Sequence, residues 1–166
     1  MSNTGSPDPT HRYGADGPPE VGKAIDDFLL VDELGRGAFA TVYLAHQRSM
    51  HRRVALKITA TEGREARTLA QLDHPHIVRV LDQRDVPSRG LRLLYMEYVP
   101  GGTLEGVVEM RGGPDGPNLD GSAYLSLIDD RLRDRGEPSP TDSALREEIV
   151  GSTWPEVVCR LGRQLG

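Results

Sequence analysis

The stretch "LGRGAFATVYLA", residues 34–45, decides how the first half of the chain is read. Gly35 and Gly37 stand two apart, Phe39 follows, and the run then turns β-branched and aromatic at Thr41, Val42 and Tyr43. Glycine lets a backbone approach a ligand with no Cβ in the way, and a loop of backbone N–H groups attracts an anion. The element after the glycines separates the possible phosphate loops. A dinucleotide-binding unit would open a helix here, with the pyrophosphate on its N-terminus, but the loop runs into a strand. A P-loop would end in Gly-Lys-Ser/Thr, but Gly37 is followed by Ala38 and Phe39. A third arrangement, a glycine-rich hairpin folded over phosphates, needs a strand on both sides and a lysine on the next strand. Both are present.

Outward from this hairpin, "FLLVDELGRG", "TVYLAHQ" and "RRVALKITA" are three short runs rich in Val, Leu, Ile and Tyr, expected as an antiparallel meander. In "TEGREARTLAQLDHP" the period changes. Glu65, Leu69 and Leu72 fall on one helix face, Thr59 or Thr61 can cap the start, and Pro75 lies just past the end. Two further apolar runs, "HIVRVLDQ" and "LRLLYMEYV", flank a loop with Pro87 and Gly90 and read as strands four and five. The expected order is β-β-β-α-β-β, a five-stranded antiparallel sheet with one helix, in the α+β class.

The flanks differ in character. Residues 1–25 are rich in Gly, Pro, Ser and Asp without a sustained period and read as a disordered leader. Residues 109–151 contain two weakly amphipathic pieces, "SAYLSLIDDRLRDRG" and "SALREEIVG", joined by linker-like "EPSPTD", and read as a flexible insertion. Residues 152–166 read as an incomplete helix. Ser152 or Thr153 can cap it, Pro155 suits its first turn, and Trp154, Val157, Val158, Leu161 and Leu165 form an apolar stripe with no following element to cover it.

Composition excludes several classes of function. A net charge of -5 gives no basis for a general nucleic-acid binder, which needs clustered Lys and Arg. Cys159 is the only cysteine, so an intrachain disulfide is impossible and a cysteine zinc site unsupported. His74 and His76 have no convergent carboxylate or cysteine and read as loop and core residues, so no metal site is expected. No stretch approaches the roughly 18 apolar residues of a membrane span, and no signal segment is evident. The default expectation is a cytoplasmic chain.

With these motifs in order, the sequence resembles the N-terminal lobe of protein kinases, most like the serine/threonine kinases of bacteria. "LGRGAFATV" resembles the glycine-rich loop, "VALK" the third strand, "REARTLAQLDHPHIV" the regulatory helix with its exit loop, and "LLYMEYVPGGTL" the hinge. The resemblance covers residues 27 to about 108, so 26–108 is expected as the lobe with its hinge. The final segment looks like the start of the first long helix of the C-terminal lobe.

The resemblance implies a site for ATP. Leu34, Gly35, Arg36, Gly37, Ala38, Phe39 and Ala40 would form the loop over its phosphates, with Ala40 where the family usually has a third glycine. Lys57 would contact the α- and β-phosphates and pair with Glu65; Glu62 is the alternative partner. Val42 and Ala55 would cover adenine, Met96 would be the gatekeeper, and the backbone of Glu97 and Val99 would bond the adenine edge. Leu69 and Val80 match positions linking helix to sheet. Only eight positions separate Lys57 from Glu65, so the strand-to-helix connection is expected to be abbreviated.

The 166 residues contain no His-Arg-Asp catalytic loop, Asp-Phe-Gly metal ligand or Ala-Pro-Glu segment. Two readings follow from this. One is the ATP-binding part of a serine/threonine protein kinase, truncated before the catalytic loop and inactive alone, with Mg2+ and a protein substrate engaged only by the complete enzyme. The other is a non-catalytic fragment that binds nucleotide or docks on a partner.

Overall fold

The computed structural model describes residues 19–60, 74–110, 112, 119–141 and 143–165. It divides into two compact units, residues 1–98 and 99–166.

The first unit is built on one antiparallel sheet of six strands: β1 (Ala24–Ile25), β2 (Phe28–Arg36), β3 (Ala40–Gln47), β4 (Arg52–Ala60), β5 (Val80–Val86) and β6 (Leu91–Glu97), in the spatial order β1-β2-β3-β4-β6-β5. Five of these are the expected strands, with the fourth shifted along the chain: expected over 76–83, it runs Val80–Val86 as β5. The sixth, β1, is a correction to the expected five. Its two residues pair with β2 as Ala24 with Leu29 and Ile25 with Phe28, across a turn in which Asp26 adopts φ 51°. Ile25 is thereby buried in the core, and the Tyr43 hydroxyl donates to the Pro19 carbonyl at 2.7 Å, tying the preceding segment to β3. The expected helix over residues 61–73, with Glu62, Glu65, Leu69 and Leu72, lies outside the described residues.

Period-two alternation sorts the sheet into two faces. On one face Phe28, Leu30, Tyr43, Ala45, Val54, Leu56, Ile58, Leu93 and Tyr95 form the core with Ile25 and Leu91. Strands β2 and β6 are not neighbours, yet the rings of Phe28 and Tyr95 sit 4.9 Å apart. The sheet therefore curls around this core. Its two ends meet where Arg84 of β5 reaches Asp26 of the β1–β2 turn at 2.5 Å. At the same edge the Tyr95 hydroxyl donates to Asp82 at 2.8 Å.

The second unit contains α1 (Leu104–Met110), α2 (Gly121–Asp134), α3 (Ala144–Val150) and α4 (Trp154–Leu165). The stretch expected as a flexible insertion thus holds two helices. Asp120 caps α2 by accepting from the Ala123 N–H at 2.8 Å, and α4 begins with a capping box in which Glu156 accepts from both the N–H and the hydroxyl of Thr153. Val107, Tyr124, Leu125, Ile149 and Val157 form the core, with Trp154 and Leu161 packed against it. The apolar stripe of the last helix, expected to lack a cover, is covered in part within the chain: Val157 is fully buried while Val158 stays exposed.

Helices α2 and α3 pack closely at Gly121, whose N–H donates to the Ser152 carbonyl at 2.7 Å. A Cβ at Gly121 would lie 1.5 Å from the carbonyl oxygen of Ile149, a backbone atom that moves only if the helices part. Gly121→Ala is therefore expected to destabilise the helical unit by about 3 kcal/mol or to prevent its assembly. Thermal melting followed by circular dichroism checks this, and an unchanged melt would contradict the close approach.

The Tyr95–Asp82 bond makes a second prediction. The Tyr95 hydroxyl, aided by the Gln83 N–H, holds the Asp82 carboxyl below its ordinary value. A carboxyl depressed in the folded state stabilises above its unfolded value, near pH 4, and that contribution is lost as pH falls through the lowered folded value. Tyr95→Phe should cost about 1 kcal/mol at neutral pH. Denaturant titrations should show the stabilities of variant and parent converging below about pH 4.

Candidate functional site

The face of the sheet opposite the core collects most of the residues singled out by sequence. Directly opposed residues of antiparallel strands share a face. Gly35 stands opposite Val42, Val42 opposite Lys57, and Lys57 opposite Leu94, making one row across four strands. The next row runs Asp32, Leu44, Ala55, Met96 and Val80. Val42, Ala55, Lys57 and Met96, far apart in sequence, are thus brought to one side. Lys57 is there because β4 alternates: Val54, Leu56 and Ile58 take the core, which forces Ala55 and Lys57 to the other face. Leu44 and Leu94 belong to the same surface and were not singled out from sequence. Counting in twos from Val42 and Met96 would have found both.

One residue beyond the Gly35–Val42 pair, β2 and β3 are joined by the glycine hairpin. The Gly37 N–H donates to the Ala40 carbonyl at 2.8 Å, closing the turn. Phe39 stands out at its tip, 78% exposed. A Cβ built on Gly35 would meet nothing within 4 Å, and one on Gly37 only the Ala40 oxygen at 3.6 Å; neither residue has the positive φ that demands glycine. The hairpin itself therefore does not require glycine at either position. Leu34 and Gly35 lie at a register shift between Glu33 and Gly35, a bulge that bends the strand.

Arg36 is set apart from the other loop residues. It stands opposite Thr41, whose side chain points into the core, so Arg36 projects from the face away from Lys57. There it grips Glu33 with two parallel bonds, Nε to Oε1 at 3.0 Å and Nη2 to Oε2 at 2.5 Å. This guanidinium holds the Glu33 carboxyl below the usual carboxylate range.

At the far end of β6, Glu97 donates its N–H to the Arg79 carbonyl at 2.9 Å, so any contact of Glu97 backbone with an adenine edge goes through its carbonyl. Val99, 58% exposed, falls in the second unit. His74 Nδ1 accepts from the His76 N–H at 3.2 Å. Among the described residues no group of three or more His, Cys, Asp or Glu is placed to hold a metal ion, and no helix is long and apolar enough to cross a membrane.

The chain is 35% identical over 100 residues to the serine/threonine-protein kinase PknB of Mycobacterium tuberculosis, covering 52% of this chain and 16% of that protein. It is 37% identical over 95 residues to the serine/threonine-protein kinase PknK of the same species, covering 51% of this chain and 8% of that protein. The chain thus spans less than a fifth of the length of these relatives. Among solved structures, the apo form of PpkA-294 aligns with a TM-score of 0.48 at 20% identity, covering 57% of this chain and 43% of that one. The family described as protein kinase domain matches residues 28–118, which is more than half of the 166 residues, and this chain belongs to that family.

Proposed function

We infer that residues 26–108 form the ATP-binding lobe of a serine/threonine protein kinase, an enzyme that transfers the γ-phosphoryl group of ATP to protein Ser or Thr. The observation that carries the reading is the convergence of Gly35, Val42, Ala55, Lys57 and Met96 on one face of the sheet, next to the turn of a glycine hairpin. Glycines that the hairpin does not itself require are what a backbone needs if a ligand is to approach it closely. A lysine among apolar neighbours, on the strand next to that hairpin, offers a fixed positive charge to the α- and β-phosphates. Val42 and Ala55 give adenine a flat apolar cover, and the Glu97 carbonyl accepts from its amine. Glu65 or Glu62 would steady the Lys57 ammonium.

Phosphoryl transfer itself depends on positioning and on charge neutralisation by groups outside these motifs. The 166 residues hold neither the catalytic base nor the metal ligands of the family, and the described residues offer no cluster for Mg2+. The chain by itself is therefore expected to bind ATP without transferring its phosphate, with the protein substrate engaged by the complete enzyme. The alternative is a non-catalytic fragment that binds nucleotide or docks on a partner; for docking through the last helix, the burial of Val157 within its own helical unit removes part of the available surface.

Lys57→Met tests the site. A charge-assisted hydrogen bond is worth about 1.5–3 kcal/mol, so the variant should bind ATP at least about tenfold more weakly. Isothermal titration of ATP into parent and variant is the measurement, with melting curves as a check on folding. Equal affinity in two equally stable proteins would overturn the assignment.

A further inference from the structure

The chain leaves β6 at the point where adenine recognition is read, and that exit is fastened from both sides. On the β5 side the Glu97 N–H is bonded to the Arg79 carbonyl at 2.9 Å. On the β4 side the guanidinium carbon of Arg53 lies 6.0 Å from the centre of the Tyr98 ring. The register explains the second contact. Val54 stands opposite Glu97 in the last pair of the β4–β6 ladder, and one step further Arg53 comes to face Tyr98. Arg53 also shares the face of Ala55 and Lys57, two residues before Ala55 on the same strand. A flat guanidinium is held against an aromatic face by both charge and stacking, which an ammonium reproduces only in part.

We propose that Arg53 and Tyr98 are positioning residues for the purine: their cation–π contact holds the exit of β6 so that the Glu97 carbonyl meets an adenine amine and rejects a guanine carbonyl. The proposal rests on the ATP reading above and names a determinant of its base selectivity. Discrimination follows from donor and acceptor chemistry. A fixed carbonyl accepts from the exocyclic amine of adenine, whereas guanine presents an oxygen there and leaves two acceptors facing one another. A carbonyl free to swing away loses part of that difference.

The test compares ATP and GTP binding by titration calorimetry in parent, Arg53→Ala, Arg53→Lys, Tyr98→Phe and Tyr98→Leu, together with amide hydrogen exchange at Glu97 and Tyr98. A cation–π contact at a partly exposed site corresponds to a loss of about threefold in ATP affinity on Arg53→Ala or Tyr98→Leu, with GTP unchanged and the preference for ATP reduced. Tyr98→Phe, which keeps the ring, should behave as the parent. Arg53→Lys should fall between, and the double variant Arg53→Ala with Tyr98→Leu should lose no more than either single change. Exchange at Glu97 and Tyr98 should quicken in Arg53→Ala. An Arg53→Ala protein that keeps both the parent's ATP-to-GTP ratio and its exchange rates overturns the proposal, as does one that weakens both nucleotides equally. A parent that binds neither nucleotide overturns the ATP site itself, and the exchange rates then report separately whether the pair fixes the β6 exit.

Discussion

Strand β4 sits between β3 and β6, and the alternation of its side chains is the constraint on which the first unit depends. Val54, Leu56 and Ile58 must all turn to the same side to be buried, and each is fully so. The pleat then leaves Ala55 and Lys57 on the other side. Slipping the pairing by one residue would put Lys57 into the apolar core and expose three large aliphatic groups, so the register is strongly specified. The same alternation in β3 and β6 adds Val42, Leu44, Leu94 and Met96 to the face that Lys57 occupies. Core packing and the candidate site are two consequences of one pattern.

Curling of the sheet turns that pattern into a closed core. A flat six-stranded sheet would leave Phe28 and Tyr95 on separate strands with β3 and β4 between them. Strand twist brings the rings together and brings Arg84 to Asp26 at the far edges. The β3–β4 turn is held in the same region, where Asp27 accepts from the Ser49 N–H at 3.0 Å and from its hydroxyl. Most of these edge groups are exposed, so their ion pairs add orientation more than stability. The helical unit has its own logic, in which one glycine lets α2 touch the end of α3 and an aromatic pair, Tyr124 and Trp154, closes the core at 6.2 Å.

Much of this was legible in the residues. The five longer strands announced themselves by β-branched and aromatic alternation, and the hairpin by glycines leading into "TVYLA". The sixth strand was not, because two residues carry no periodicity; Ile25 is placed by the Asp26 turn and by its pairing with Phe28. Helices α2 and α3 were weakly signalled for a similar reason. Tyr124 and Leu125 of α2 and Ile149 of α3 are buried with Val107 and Val157 of the other two helices, so stability comes from that shared core rather than from a stripe legible in either helix alone. Arg36 shows the limit of motif reading. Its position between two glycines said nothing of its side chain, which the register turns toward Glu33.

The sequence by itself determined the strand pattern, the glycine hairpin and the lysine on the neighbouring strand, because each is a matter of local periodicity or of residue identity. Tertiary structure alone decided that Val42, Ala55, Lys57 and Met96 share a face, that Ile25 joins the core, that Arg53 meets Tyr98 and that Val157 is covered. These depend on register and curl, which arise only when strands distant along the chain pair and bury one common core.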